Sequence, residues 1–119
     1  MAEILVLDDV LDAGVLIKKI LERKGHNVYV FDEEEEALKY AKEHQIELAI
    51  LDIKLKKLTG IEVLEELKEV KGDIKAIMLT GYPTVETARQ AIKAGASEYC
   101  VKPIDKEELE EKVAKVLTS

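Results

Sequence analysis

Two adjacent acids, a third acid, a hydroxyl and a lysine each stand where an apolar run ends. They are Asp8 and Asp9 after Ile4–Leu7, Asp52 after Leu48–Leu51, Thr80 after Ala76–Leu79, and Lys102 after Tyr99–Val101. Carboxylates gathered at one point repel one another, and that is costly unless a cation balances them. Mg2+ is the natural counter-ion: it takes oxygen ligands, usually one or two carboxylates plus waters and a phosphate, so Asp9 and Asp52 could hold it with positions left open. A carboxylate can also act as a nucleophile and become an aspartyl phosphate while the metal offsets charge on the transferring oxygens, which makes Asp52 the candidate acceptor. Lys102 adds a compact positive charge for a carboxylate or a phosphoryl oxygen, and Thr80 adds a hydroxyl donor.

Taken singly, each residue has a commoner role. Asp and Thr at strand ends cap the next helix, and Lys points to water. Tyr99 alone is a partly buried strand aromatic, and Lys102-Pro103 alone is a strand running into a turn. What favours chemistry is joint placement, because in an open α/β sheet ligands bind beyond the carboxyl ends of the strands, where residues far apart in sequence meet.

The elements that must position these residues alternate along the chain, each apolar run followed by an amphipathic stretch long enough for one helix, which predicts a parallel α/β sheet of five such units. Strand one spans about 3–8, and helix one puts Val15, Leu16, Ile20 and Leu21 on one face before Gly25 stops it. Strand two is Val28–Phe31, and Asp32 is expected to cap a helix opening with Glu33–Glu36, a solvated acid run at the positive end of the dipole, with Leu38 and Ala41 inward. The nearly all-aliphatic run Glu47–Leu51 reads as the central strand, covered on both faces. Thr59 and Glu62 have capping-box spacing ahead of helix three, whose apolar face is Ile61, Val63, Leu64, Leu67 and Val70. Strand four is Lys75–Leu79, and helix four, about 84–94, points Val85, Ala88, Ala91 and Ile92 inward. Strand five is Glu98–Val101, and Asp105 with Glu108 opens the last helix, whose Leu109, Val113, Val116 and Leu117 recur at helical intervals.

Composition bounds the function. The 119 residues make one domain, with nothing left over for a second, whether the chain is a stand-alone module or a piece cut at its boundary. Acids outnumber Lys plus Arg by 25 to 18, a net charge of -7, which argues against direct nucleic-acid binding. No apolar run approaches the roughly 20 residues that span a bilayer, and an acid, Glu3, stands where a secretory signal would be positive, so a cytoplasmic protein with no membrane contact is expected. Cys100, within the last strand and without a neighbouring His, reads as a buried thiol rather than a nucleophile. His26 and His44 lack metal-ligand spacing and are expected to face solvent.

The chain resembles the receiver domains of bacterial two-component response regulators. The resemblance rests on Val6-Leu7-Asp8-Asp9, on Leu51-Asp52-Ile53-Lys54-Leu55 with Gly60 following, on Thr80-Gly81, and on Tyr99-Cys100-Val101-Lys102-Pro103, and it covers essentially the whole chain. The segment from Thr80 to Ala88 looks like receivers attached to sigma-54-type transcriptional activators, although no ATPase, DNA-binding or other output domain is expected within these residues.

This resemblance implies a flavodoxin-like five-stranded parallel sheet of order 2-1-3-4-5, with helices on both faces. It also implies a phosphoryl group passing from a sensor histidine kinase or phosphotransfer protein to Asp52. Asp9, Asp52 and the backbone carbonyl of Lys54 would ligate Mg2+, with Asp8 acting through water and Lys102 contacting the acceptor or its phosphate. Thr80 would be the switch hydroxyl, its movement making room for Tyr99 to turn inward and changing the face of helix four, strand five and helix five that meets an output domain or downstream protein. Lys102-Pro103 is expected to be cis. Such a domain catalyses only its own phosphorylation and dephosphorylation. Arg89, Lys93, Glu107 and Glu111 could make charged contacts between two copies, so monomer and homodimer both stay open.

Two positions depart from the family pattern: Lys56 stands where proline is usual, and Thr59 where an acid or amide is frequent. Lys54 and Tyr82 occupy positions that influence how quickly such a phosphoryl group is hydrolysed. Three rivals remain: a phosphate-independent interaction module, an aspartyl phosphatase and a flavodoxin. Lys54 stands where the phosphatase would carry its second acid, and Asp8-Asp9-Val10-Leu11-Asp12 replaces the flavodoxin's Ser/Thr-rich loop.

Overall fold

A computed structural model describes residues 1–55 and 57–119; the departure at Lys56 lies outside the described residues. The elements are β1 (Glu3–Leu7), α1 (Leu11–Glu22), β2 (Asn27–Phe31), α2 (Glu34–Glu43), β3 (Leu48–Asp52), α3 (Gly60–Val70), β4 (Lys75–Thr80), α4 (Val85–Lys93), β5 (Glu98–Val101) and α5 (Lys106–Leu117). All strand pairings are parallel, in the order β2-β1-β3-β4-β5. This is the flavodoxin-like arrangement expected from the sequence.

Alternation along each strand builds two cores. Leu5, Leu7, Ala49, Leu51, Ala76 and Met78 pack under α2, α3 and α4. Ile4, Val6, Ile50, Ile77, Leu79 and Cys100 pack under α1 and α5, through Ile17, Leu21, Leu109, Val113 and Val116. Each large aliphatic buried this way contributes about 1.5–3 kcal/mol. Every residue of β3 is buried, which is why its sequence shows no alternation.

Several inward expectations are corrected. On α1 it is Gly14, Ile17 and Leu21 that are buried, while Leu16 is 59% exposed. Val70 is exposed. The α4 helix meets the core through Ala91, leaving Val85 and Ile92 71% and 68% exposed, because small side chains let the helix lie close and turn its wide ones outward. Asp32 does not cap α2: the chain stays extended through Glu33, which takes the N-cap position without a side-chain cap bond. The run that follows is not uniformly solvated either, for Glu34 is buried.

The capping box expected at Thr59 forms in full, whereas at Asp105, where the same spacing stands with Glu108, the Asp105 half is what forms. The Thr59 N–H donates to Glu62 Oε1 at 2.9 Å and the Glu62 N–H to Thr59 Oγ1 at 3.2 Å, while Asp105 accepts from the Glu108 N–H at 2.8 Å. Gly25 and Gly95, with φ of +89° and +101°, end α1 and α4 in the left-handed region that glycine tolerates.

Gly60 is required for a different reason. Its N–H donates to the Ile53 carbonyl at 2.7 Å, and a Cβ here would overlap the carbonyl oxygen of Asp52. Gly60→Ala is expected to lower stability by about 3 kcal/mol, the upper part of the overpacking range. Gly72→Ala, whose Cβ would meet nothing nearer than the Lys68 carbonyl at 3.7 Å, should be close to neutral; paired urea unfolding curves compare the two.

Candidate functional site

The sheet order brings the five residues singled out by the sequence to one edge. Asp8 follows β1, Asp52 ends β3, Thr80 ends β4 and Lys102 follows β5. Asp8, Asp52 and Thr80 are buried, and Asp9 and Lys102 are partly so.

A shared local device holds three of them. Asp8 Oδ1 accepts the Val10 N–H at 2.9 Å, Asp52 Oδ1 accepts the Lys54 N–H at 3.3 Å, and Thr80 Oγ1 accepts the Tyr82 N–H at 3.0 Å. In each case the side chain bonds to the backbone two residues on, the turn that Asp and Thr favour where a strand breaks into a loop. The rotamer is therefore set by the same turn that ends the strand. The Thr80 hydroxyl proton remains available to donate.

Carboxylate oxygens of Asp8, Asp9 and Asp52 lie within 4.8 Å of one another. Lys102 answers this charge, its Nζ standing 2.8 Å from Asp8 Oδ2 and 3.3 Å from Asp52 Oδ2. The lysine thus sits closer to Asp8 than to the expected acceptor, and Asp8 holds an ion pair of its own. The Lys102-Pro103 peptide is cis. Burial raises the Asp52 pKa above the usual carboxylate value; Lys102 opposes this and the charge of Asp8 adds to it. Burial also works against the Lys102 ammonium, but hydrogen bonding and charge from Asp8, then Asp52, outweigh it and push its pKa up. Burial thus sets the direction at Asp52, with one lysine shared between two carboxylates too little to reverse it, whereas the two carboxylates set the direction at Lys102.

A cluster of hard oxygen donors carrying more negative charge than its single lysine offsets fits a divalent cation such as Mg2+. Asp8, Asp9 and Asp52 are the carboxylates that could hold it, Asp8 and Asp52 each also facing Lys102.

Beyond these residues, three features were not legible in the sequence. Tyr99 Oη lies 2.7 Å from Thr87 Oγ1 on α4, and Thr87 also pairs with Thr84 in the cap of that helix, their hydroxyls 3.0 Å apart. Lys54 Nζ stands 4.4 Å from the centre of the Tyr82 ring, linking the loops that follow Asp52 and Thr80. An apolar groove of about 390 Å3, lined by Leu16, Ile20, Pro103 and Ile104, opens beside Asp8 and Lys102. The pairing of Tyr99 with Thr87, twelve residues apart, depends on how α4 crosses β5, which the sequence does not carry. Cys100 is buried and its thiol pKa is raised by that burial, as a structural thiol's would be. His44 is exposed and stacks on Tyr40, whereas His26 is half-buried, its Nδ1 accepting from the Ala2 N–H at 3.1 Å.

A doubly wound parallel sheet with an acidic cluster and a lysine at its carboxyl edge defines a small α/β domain with its candidate site at the strand ends. Residues 4–114 match the response regulator receiver domain family, and the chain belongs to that family, the receivers of two-component signal transduction. Among curated relatives, the transcriptional regulatory protein ZraR of Escherichia coli is 32% identical over 97% of this chain, which spans only 26% of that relative's length. A response regulator receiver domain protein (CheY-like) from Methanospirillum hungatei superposes with a TM-score of 0.95 at 33% identity, covering 99% of this chain and 94% of that one. The beryllofluoride-activated NtrC4 receiver domain dimer gives a TM-score of 0.94 at 30% identity, over 99% of this chain and 98% of that one. No helix among the described residues is long and apolar enough to cross a membrane.

A carboxylate whose folded pKa exceeds its unfolded one costs stability while ionised. The cost is present at pH values above the raised pKa and fades as pH falls through it to the ordinary carboxylate range. Asp52→Asn is therefore expected to raise the melting temperature in metal-free buffer near pH 7 by a few degrees, about 1 kcal/mol. The gain should shrink toward pH 4, and a variant melting at or below wild type near pH 7 would show that Lys102 compensates Asp52 in full.

Proposed function

We propose that the domain accepts a phosphoryl group on Asp52 from the phosphohistidine of a sensor kinase or phosphotransfer protein, in a Mg2+-dependent step, and signals through α4, β5 and α5. The observation that carries this reading is the Asp52 carboxylate at the carboxyl end of β3, grouped with Asp8 and Asp9 and 3.3 Å from Lys102 Nζ. In the transfer, an Asp52 oxygen forms a bond to phosphorus as the phosphorus–nitrogen bond breaks, and the imidazole leaves with the electron pair. Mg2+, held by Asp9, Asp52 and the Lys54 carbonyl, would offset charge on the transferring oxygens. Lys102 can follow the new negative charge while keeping contact with Asp8, and Asp8 would act on the metal through water. The domain acts on no other substrate and works in the cytoplasm, beside its kinase.

Signalling then rests on Thr80 and Tyr99. The phosphoryl oxygens offer the Thr80 hydroxyl an acceptor, and its movement changes the space open to Tyr99, whose hydroxyl now meets Thr87. Phosphorylation thereby biases an equilibrium between two arrangements, with a coupling of about 1–3 kcal/mol. The surface that would respond carries exposed Tyr82, Val85, Ile92 and Val101, apolar groups suited to an output domain, a downstream protein or a second copy. Because the NtrC4 neighbour is a beryllofluoride-activated dimer, phosphorylation-dependent pairing through this face is the form of self-association to test first.

Intact mass after incubation with acetyl phosphate tests the acceptor. One added phosphoryl group that needs both Mg2+ and Asp52, and is absent from Asp52→Asn, is the expected result. No addition, together with no beryllofluoride complex, would leave an interaction module that does not use phosphate. For the switch, beryllofluoride should shift the Tyr99 ring resonances in wild type and leave them in place in Thr80→Ala.

A further inference from the structure

Glu34 is the first residue of α2 and is only 2% exposed. A buried carboxylate is costly unless its oxygens are satisfied. One oxygen of Glu34 is satisfied far along the chain: Oε2 accepts the Lys57 N–H at 2.6 Å and the Leu58 N–H at 2.8 Å. Burial pushes its pKa up, but the N–H groups of Leu58, Glu34 itself and Lys57, with the Lys57 charge, bring it below the usual carboxylate value, so the anion is the form the site holds. Its neighbour Glu35 differs in kind, being exposed and reaching the Lys57 ammonium at 3.7 Å.

The two amides that Glu34 grips belong to the tip of the loop between β3 and α3. That loop is closed at its base by the Lys54–Thr59 bridge and by the Gly60 N–H on the Ile53 carbonyl. These base contacts join the two ends of the loop to each other but leave Lys57 and Leu58 the freedom to move relative to α2. Glu34 removes that freedom by tying the tip to α2 with charge-assisted bonds, roughly twice as strong as neutral ones. Lys54, two residues after Asp52 and paired with Thr59 at that base, belongs to the same closed loop, so bracing Lys57 and Leu58 against α2 braces Lys54 from the far side.

We propose that Glu34 is a positioning residue for the divalent cation, fixing the loop that offers the Lys54 carbonyl to the site; this rests on the Mg2+-dependent reading above. The physical reason is tolerance. Mg2+ demands near-octahedral geometry at short distances, so a backbone ligand on a swinging loop binds it poorly. Groups that orient metal ligands without touching the metal commonly change affinity by about 10–100-fold when removed.

The test compares wild type with Glu34→Ala, Glu34→Gln and Glu35→Gln. The last removes the same charge one residue away without touching the amides. Mg2+ dissociation constants are read from the backbone amide shifts of Asp9 and Asp52 in a Mg2+ titration, well below each variant's melting temperature, alongside hydrogen exchange at Lys57 and Leu58. Glu34→Ala is expected to weaken Mg2+ binding on the order of tenfold, Glu34→Gln by less, and Glu35→Gln by under about twofold. Lys57 and Leu58 should lose protection in step with the affinity. If Glu34→Ala does not fold, the isosteric Glu34→Gln decides.

Faster exchange at Lys57 and Leu58 with Mg2+ affinity unchanged would overturn the proposal and leave Glu34 a purely structural clamp. An equal loss in Glu35→Gln would overturn it in favour of simple charge. Wild type showing no Mg2+-dependent shifts would overturn the cation reading and this proposal together, whereas wild-type binding that Asp52→Asn abolishes and the Glu34 variants leave intact would overturn this proposal alone.

Discussion

Three carboxylates crowded at one sheet edge, answered by one ammonium, are the constraint around which the rest of the structure is arranged. Asp8 and Asp9 arrive from β1 and Asp52 from β3, adjacent strands in the sheet, so their proximity is a direct product of parallel register. The lysine that offsets them comes from the loop after β5, 94 residues from Asp8 and 50 from Asp52, and must reach back across the end of β4. At an effective dielectric of about 20, like charges a few ångströms apart repel by roughly 4 kcal/mol, so the lysine cannot be spared, and by itself it does not suffice. Burial of Asp52, with the charge of Asp8 added, raises its pKa despite the lysine.

Such a site is sustained by what lies beneath it. The two cores, fed by alternate residues of the same strands, anchor the strand ends that carry the charges. The turns at Asp8, Asp52 and Thr80 then fix each side chain to its own backbone, so that repulsion cannot be relieved by rotating a carboxylate away. A site that can neither relax nor neutralise itself is preorganised for a cation supplied from outside. The unfavourable electrostatics are thus the same feature that would give a divalent ion its affinity.

Legibility in the sequence followed burial. Strand β3 was readable because both of its faces are covered and its composition had to be aliphatic throughout. The pocket residues were readable because each interrupts an apolar run at its carboxyl end. Helix faces were less so: in Val15-Leu16-Ile17 three aliphatics in succession fit more than one helical stripe, and only packing under β1 and β2 selects Ile17 over Leu16. In α4 the wide aliphatics suggested an inward face, but the helix docks on alanine. Glu34 was hidden by company, since four consecutive glutamates look alike until the loop 23 residues on shows which one has backbone amides to receive it.

How charge at the sheet edge could reach a face on the far side of α4 follows from the strength of the contacts between them. Thr80 is tied to Tyr82, Tyr82 lies under the Lys54 ammonium, and Tyr99 is tied to the Thr87–Thr84 pair that opens α4. Each is a partly exposed contact of about 0.5–1.5 kcal/mol. The cores beneath are held by far larger energies and do not yield. A perturbation at Asp52 worth a few kcal/mol is therefore too small to repack the domain and large enough to exchange one set of these surface contacts for another. Thr87, at once a cap residue of α4 and the partner of Tyr99, ties a strand side chain to the opening turn of a helix, so the two cannot move independently without breaking that contact.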